Sequence, residues 1–178
     1  MQDLQRSGAI RFIGVTEHWS GDLEHQMLQR ALRDGLWDVI MVGFNLLNQT
    51  ARETVFRAAS DNDIGVLIMF AIRRALSQPA RLKSTLESLI ESGEIEGRDL
   101  DLDNPLGFLL ERDIAASIPD AAYRFARDEP GTHVILSGTG KAQHLDDNLA
   151  TFARPPLPAD ITARLQRIFR NARSVTGG

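Results

Sequence analysis

The feature that most constrains the fold is a regular alternation of short apolar runs with segments of helical periodicity. Apolar runs lie at residues 10–15, 39–44, 64–70 and 133–136, and each is followed by glycine or polar residues. Between and after them, apolar side chains recur three or four positions apart, as on one face of a helix. Strands that alternate with helices indicate a parallel sheet, so the sequence predicts an α/β fold.

Local signals place the ends of several helices. Ser20 is suited to cap a helix that ends near Gly35, and Thr50 with Glu53 has the spacing of a capping box. Residues 1–7 are interpreted as the end of a preceding helix, and residues 173–178 are predicted to form a loose tail. No composition shift or linker divides the chain, so residues 1–178 are predicted to form a single domain.

Composition excludes several function classes. The net charge of −4 and the absence of a basic run argue against a nucleic-acid or membrane-surface partner. No stretch is long and apolar enough to span a bilayer. Cysteine is absent and the four histidines have no metal-ligand spacing, so we expect no metal site. A cytoplasmic location is expected.

The alternation fits two architectures. One is an open, doubly wound sheet with helices on both faces, and the other is half of an eight-stranded barrel. The pattern alone favours neither.

Several short strings, in order, resemble the aldo-keto reductase family. Residues 8–16 (GAIRFIGVT) are similar to its glycine, Ile/Val-Arg, aromatic, Ile-Gly-Val-Ser signature, and residues 44–48 (FNLLN) to its aromatic-Asn segment. Residues 65–71 resemble its seventh strand. Residues 134–139 and 145–148 resemble its eighth strand, phosphate loop and following helix. The resemblance extends to about residue 170 and implies strands five to eight of a (β/α)₈ barrel plus a C-terminal helix.

The resemblance also implies what this chain lacks. The family's catalytic Asp, Tyr, Lys and His come from the first four strands and their loops. The sole tyrosine is Tyr123, and the sole lysines are Lys83 and Lys141, all on predicted helices or in the phosphate loop. We therefore expect no catalytic residues and no activity from this chain alone. In the full-length barrel the family implies NADP- or NAD-dependent hydride transfer on a small carbonyl or alcohol substrate.

The loop after the fourth apolar run could approach a phosphate. Glycines let backbone amides come close to an anion and the next helix favours negative charge, although the residues alone are more often simply a tight turn. By resemblance, the residues facing the adenosine phosphate are Gly138, Thr139, Gly140 and Lys141. His144 replaces an arginine on the 2′-phosphate, which leaves NADP and NAD both open. Asp147 and Asn148 correspond to adenine contacts.

The nicotinamide side departs from the family. Thr16-Glu17 replaces Ser-Asn, Met41 replaces a glutamine, and Met69 replaces an aromatic residue that stacks on the nicotinamide. The usual Ser-Pro-Leu is replaced by residues 70–72, which are Phe70, Ala71 and Ile72. By the same resemblance, Arg73 and Arg74 lie over the pyrophosphate or the substrate, whereas the residues alone fit an ordinary surface loop equally well.

Four strands cannot close a barrel. A few hundred Å² of uncovered apolar surface would cost on the order of 5–10 kcal/mol, which is comparable with a domain's stability. We therefore expect a partner, either the missing N-terminal half or a second copy in a homodimer. Three hypotheses follow: a fragment of a reductase, a non-catalytic half-barrel that pairs and binds a nucleotide, and an independent open-sheet nucleotide-binding module.

Overall fold

The sheet has four parallel strands in sequence order. The computed structural model describes residues 1–178. The strands are β1 (Gly14–Thr16), β2 (Val39–Gly43), β3 (Gly65–Met69) and β4 (Val134–Ile135), hydrogen-bonded in the order β1-β2-β3-β4. All three pairings are parallel. The predicted runs are confirmed as strands, although the first begins four residues later than its apolar run.

Helices follow every strand. They are α1 (Gln2–Arg6), α2 (Gln26–Asp34), a π-helical turn (Arg52–Phe56) continuing as α3 (Arg57–Asp61), α4 (Arg74–Ser77), α5 (Pro79–Glu91), α6 (Ile118–Arg127), α7 (Ala142–Ala153) and α8 (Ala159–Ile168). Single 3₁₀ turns lie at Trp19–Gly21, Gly97–Asp99, Gly107–Leu109 and Glu111–Asp113. No helix is both long and apolar enough to cross a membrane.

One face of the sheet packs against the helices. Ile40, Val42, Val66 and Ile68 alternate along β2 and β3, and all four are fully buried. They join one apolar cluster with side chains of α2, α5, α6 and α8. The core is therefore the layer between the sheet and its helices.

The other face is bare. Val39, Met41 and Leu67 alternate with the buried set and are only half-buried. Phe12 and Val134, which the strand alternation places on this face, are 63% and 48% exposed. Parallel sheets are normally covered on both faces, so this one is half of a layered structure. The open-sheet alternative, which requires helices on both faces, is wrong.

The cap of α2 differs from the prediction. The helix begins at Gln26, not near Ser20, and follows His25, which has a left-handed backbone (φ 58°) at the N-cap position. The Asp22 carboxylate accepts hydrogen bonds from the amides of Gln26 (2.9 Å) and Met27 (2.8 Å). Ser20 lies instead in the 3₁₀ turn Trp19–Gly21, in which Trp19 is buried.

The predicted capping box at Thr50 is also wrong. Its hydroxyl donates to the side-chain oxygen of Asn48 at 2.6 Å and lies 2.9 Å from His25 Nε2. The hydroxyl thus joins a buried polar network and does not accept from the amide of Glu53.

The segment 173–178 is held in place, contrary to the predicted loose tail. The Glu94 carboxylate accepts from the amides of Arg173 (2.6 Å) and Ser174 (2.9 Å). Burial raises the pKa of Glu94, but these amide hydrogen bonds outweigh it and hold the pKa below the ordinary 4.5. No local pattern predicts this anchor, because its two parts are about eighty positions apart in the sequence.

Candidate cofactor site

A cavity of about 710 Å³ opens at the carboxyl ends of β3 and β4. Its walls come from the loop after β3, the start of α6, and the loop from β4 into α7. Six of the residues predicted to bind the cofactor line it together: Ile72, Gly138, Thr139, His144, Asp147 and Asn148. The fold therefore brings distant predicted residues into one concavity, on the edge of the sheet where α/β folds bind ligands.

The loop into α7 leaves backbone amides free. A Cβ added at Gly138 or Gly140 would meet nothing within 4 Å, so there is open space beside both glycines. Thr139 Oγ1 accepts from the Lys141 amide at 3.1 Å. No side chain caps α7, so its first amide groups keep their hydrogen-bonding capacity for an anion. Gly140 and Lys141 belong to this exposed loop but do not line the cavity.

Ser137 fixes the position of Asn148. Its hydroxyl accepts from Asn148 Nδ2 at 2.8 Å and from the phenol of Tyr123 at 3.1 Å. Tyr123 is 6% exposed and lies in the body of α6. Sequence reasoning did not include Ser137 among the site residues, although its place at the end of β4 was a usable signal.

The cavity wall carries more cationic than anionic groups. Three arginines, Arg73, Arg74 and Arg154, line it together with two aspartates, Asp120 and Asp147. Asp120 is already paired with the buried Arg124 at 3.2 Å, and Arg154 lies 3.5 Å from the same carboxylate oxygen. Arg154, at the end of α7, was missed because nothing in its local sequence marks it. The surplus of positive charge suits an anionic ligand.

Except for Ile72, the residues predicted for the nicotinamide side do not line this cavity. Thr16 is paired with Met41 across β1 and β2, and both are on the bare face of the sheet. Met69 is 9% exposed at the end of β3, and Ala71 is buried. Phe70 has a left-handed backbone (φ 64°) that turns its ring outward, where it is 39% exposed.

Glu17 points away from the bare face. Its side chain has no exposed surface, and its carboxylate accepts from the Gly43 amide at 2.7 Å. Both carboxylate oxygens lie 2.9 Å from His25 Nδ1. The predicted contact with a nicotinamide therefore cannot form unless Glu17 leaves these partners. Strand alternation already places residue 17 on the helix-facing side, opposite Thr16.

His25 completes this network. The single proton of the Thr50 hydroxyl has acceptors in Asn48 (2.6 Å) and in the Leu23 carbonyl (3.1 Å), so His25 Nε2 must donate to Thr50. The Trp19 ring stacks with His25 (6.1 Å between centroids) and with Phe70 (6.2 Å). The loop after β1 is thus fixed by buried contacts.

Comparison with known proteins settles the family. The family model for the aldo/keto reductases matches residues 1–170. The chain belongs to the aldo/keto reductase family. No curated protein matches the sequence significantly.

Solved aldo-keto reductases share the fold. The Bacillus halodurans aldo-keto reductase AKR11C1 in its holo form superposes with a TM-score of 0.63 at 14% identity, covering 98% of this chain and 54% of that one. A Klebsiella pneumoniae aldo/keto reductase in complex with NADP and acetate gives 0.61 at 16%, covering 95% and 52%. The thermostable aldo-keto reductase Tm1743, in complex with epalrestat, gives 0.59 at 18%, covering 94% and 52%.

The chain spans about half the length of these aldo-keto reductases. Its four parallel strands are therefore half of an aldo-keto reductase barrel, which confirms the predicted fold. The bare face of the sheet corresponds to the barrel interior, because in such barrels the helices surround the strands.

Proposed function

We propose that this chain supplies the adenosine and phosphate end of the cofactor site of an NAD(P)-dependent aldo-keto reductase. The observation that carries the proposal is the 710 Å³ cavity, which gathers six residues expected from the family resemblance together with three arginines. When bound in a complete barrel, the nicotinamide cofactor would supply hydride transfer to or from a small carbonyl or alcohol substrate.

The residues present fit one end of the dinucleotide. An anion can be held by the free amides of Gly138, Thr139 and Gly140 and by the side chains of Arg73 and Arg74. At the other end, Glu17 is buried and Met41 offers no hydrogen bond to a carboxamide. The phosphate end fits and the carboxamide end does not, so most of the affinity should come from the adenosine half.

Calorimetric titration with 2′,5′-ADP, 5′-AMP, NADPH and NADH tests this proposal. We expect saturable binding of 2′,5′-ADP with an affinity close to that of NADPH, because the shared part makes the contacts. Lys141→Ala and Arg74→Ala should each weaken it roughly 3- to 30-fold, as for a lost charge-assisted hydrogen bond. The matched control Lys83→Ala, on α5 and not among the residues that line the cavity, should bind as the wild type does.

The same titration decides the choice between NADP and NAD. A 2′-phosphate that contacts Lys141 or His144 would make 2′,5′-ADP bind at least about tenfold tighter than 5′-AMP. Equal affinities would favour NAD. No saturable heat with any of the four ligands would refute the proposed function.

A second candidate function is that of a half-barrel whose main property is association with a complementary unit. The bare face favours it, since Val134 on that face is 48% exposed and Phe12, just before β1, is 63% exposed. The unit that closes the ring would be the missing N-terminal half or a second copy of this chain. Light scattering of the purified chain over a hundredfold concentration range distinguishes the two, because only the second copy gives a defined dimer.

A further inference from the structure

The segment from Arg173 to Gly178, here called the strap, crosses the carboxyl ends of β2 and β3. Asn48 Nδ2 donates to the carbonyl oxygens of Arg173 (3.2 Å) and Val175 (2.9 Å). Asn45 Nδ2 donates to the carbonyl of Thr176 at 3.0 Å. The Ala75 amide donates to the carbonyl of Gly177 at 2.9 Å. The backbone carbonyls of the strap are therefore hydrogen-bonded along its length, by two asparagine side chains and one backbone amide.

The strap also holds Arg73. Arg73 Nη1 donates to Thr176 Oγ1 at 2.5 Å, and the guanidinium carbon lies 4.5 Å from the centroid of the Phe70 ring. The Phe70 ring also stacks with Trp19, with the ring centroids 6.2 Å apart. Arg73 lines the cavity described above, so one side chain connects the strap to the candidate cofactor site.

This arrangement restrains Arg73 without neutralising it. A hydroxyl and an aromatic face both orient a guanidinium, but neither cancels its charge as a carboxylate would. An arginine side chain loses much rotamer freedom when it binds a ligand, and a side chain already held in place loses less. Preorganisation by the strap would therefore increase the affinity of the cavity for an anion.

We propose that Thr176 is a positioning residue, which holds Arg73 over Phe70 as a phosphate-binding group of the cavity. The inference rests on the proposed function, because it assigns the strap a part in nucleotide binding. The ligand group that Arg73 would contact is anionic, either the pyrophosphate or a ribose phosphate, because a guanidinium donates its hydrogen bonds to such oxygens.

The test is a double-mutant cycle on NADPH binding by calorimetry. Thr176→Val removes the hydroxyl and keeps the volume, and it should raise the dissociation constant about two- to tenfold. Thr176→Ser should restore the wild-type value. In an Arg73→Ala background, Thr176→Val should have no further effect, which a general loss of structure would not reproduce. Thr162→Val, a matched change on α8, should leave binding unchanged.

A second readout follows Arg73 directly. In the wild type the Nε–H of Arg73 should give one distinct NMR signal, and in Thr176→Val it should merge with those of free arginines. Wild-type binding that is unaltered by Thr176→Val overturns the inference and leaves the proposed function standing. Absence of wild-type binding refutes the proposed function, and this inference with it.

Discussion

The buried network of Glu17 and His25 provides the sharpest test of what holds the loop after β1 in place. Replacing Glu17 with alanine would leave the Gly43 amide and His25 Nδ1 without partners inside the protein. An unsatisfied buried donor costs about 1–3 kcal/mol and a broken buried pair about 3–5 kcal/mol. We therefore expect Glu17→Ala to lower the free energy of unfolding by ~3–5 kcal/mol, and His25→Ala by a similar amount.

Glu17→Gln should behave differently. Its amide oxygen can still accept from Gly43, and its NH₂ can donate to His25 Nδ1, while His25 Nε2 continues to donate to Thr50. Every group keeps a partner, so the loss should be about 1 kcal/mol or less. Urea unfolding followed by tryptophan fluorescence measures the three values, since Trp19 stacks on His25. Glutamine as damaging as alanine, or alanine costing under about 1 kcal/mol, would refute this account of the network.

Three further predictions concern stability. A Cβ at Gly43 would lie 2.0 Å from the Trp19 ring, so Gly43→Ala should cost ~1–3 kcal/mol by thermal unfolding, and an unchanged melting temperature would contradict this packing. Because the folded pKa of Glu94 is lowered, its stabilisation is present above pH 4.5 and is lost as the pH falls through the folded pKa. The unfolding free energies of wild type and Glu94→Gln should thus differ at pH 7 and converge in acid, and a constant difference would count against the anchor. Glu129 accepts 2.6 and 2.5 Å hydrogen bonds from Arg52, so Glu129→Ala should destabilise by ~2–3 kcal/mol in urea, whereas a loss below 0.5 kcal/mol would make the pair dispensable.

The sequence predicted the strands well because their signal is local. The run 64–70 is apolar throughout, as is typical of a parallel strand that is covered on both faces in a closed barrel. It matches β3 within one residue at each end. The choice between an open sheet and half a barrel was not available from the pattern. That choice depends on whether helices cover one face of the sheet or both, and the apolar pattern of a single strand does not show this.

The site was predictable in part. The loop from Gly138 to Lys141 and its helix are adjacent in sequence, and the residues expected from them do line the cavity or its margin. Arg154 and the strap reach the same region only through tertiary contacts, so their local sequences carried no sign of it. Glu17 is predicted to contact the nicotinamide by resemblance alone. Strand alternation, in contrast, places its side chain on the helix-facing side of the sheet.

Backbone amide shifts in the ¹⁵N NMR spectrum, followed as 2′,5′-ADP is added, show directly whether this cavity binds the nucleotide. We expect saturable shifts concentrated in residues 137–144 and around Arg73 and Arg74, with little change along the helix-facing side of β2. Shifts absent from the loop before α7, or confined to the bare face of the sheet, would show that this cavity is not the nucleotide site.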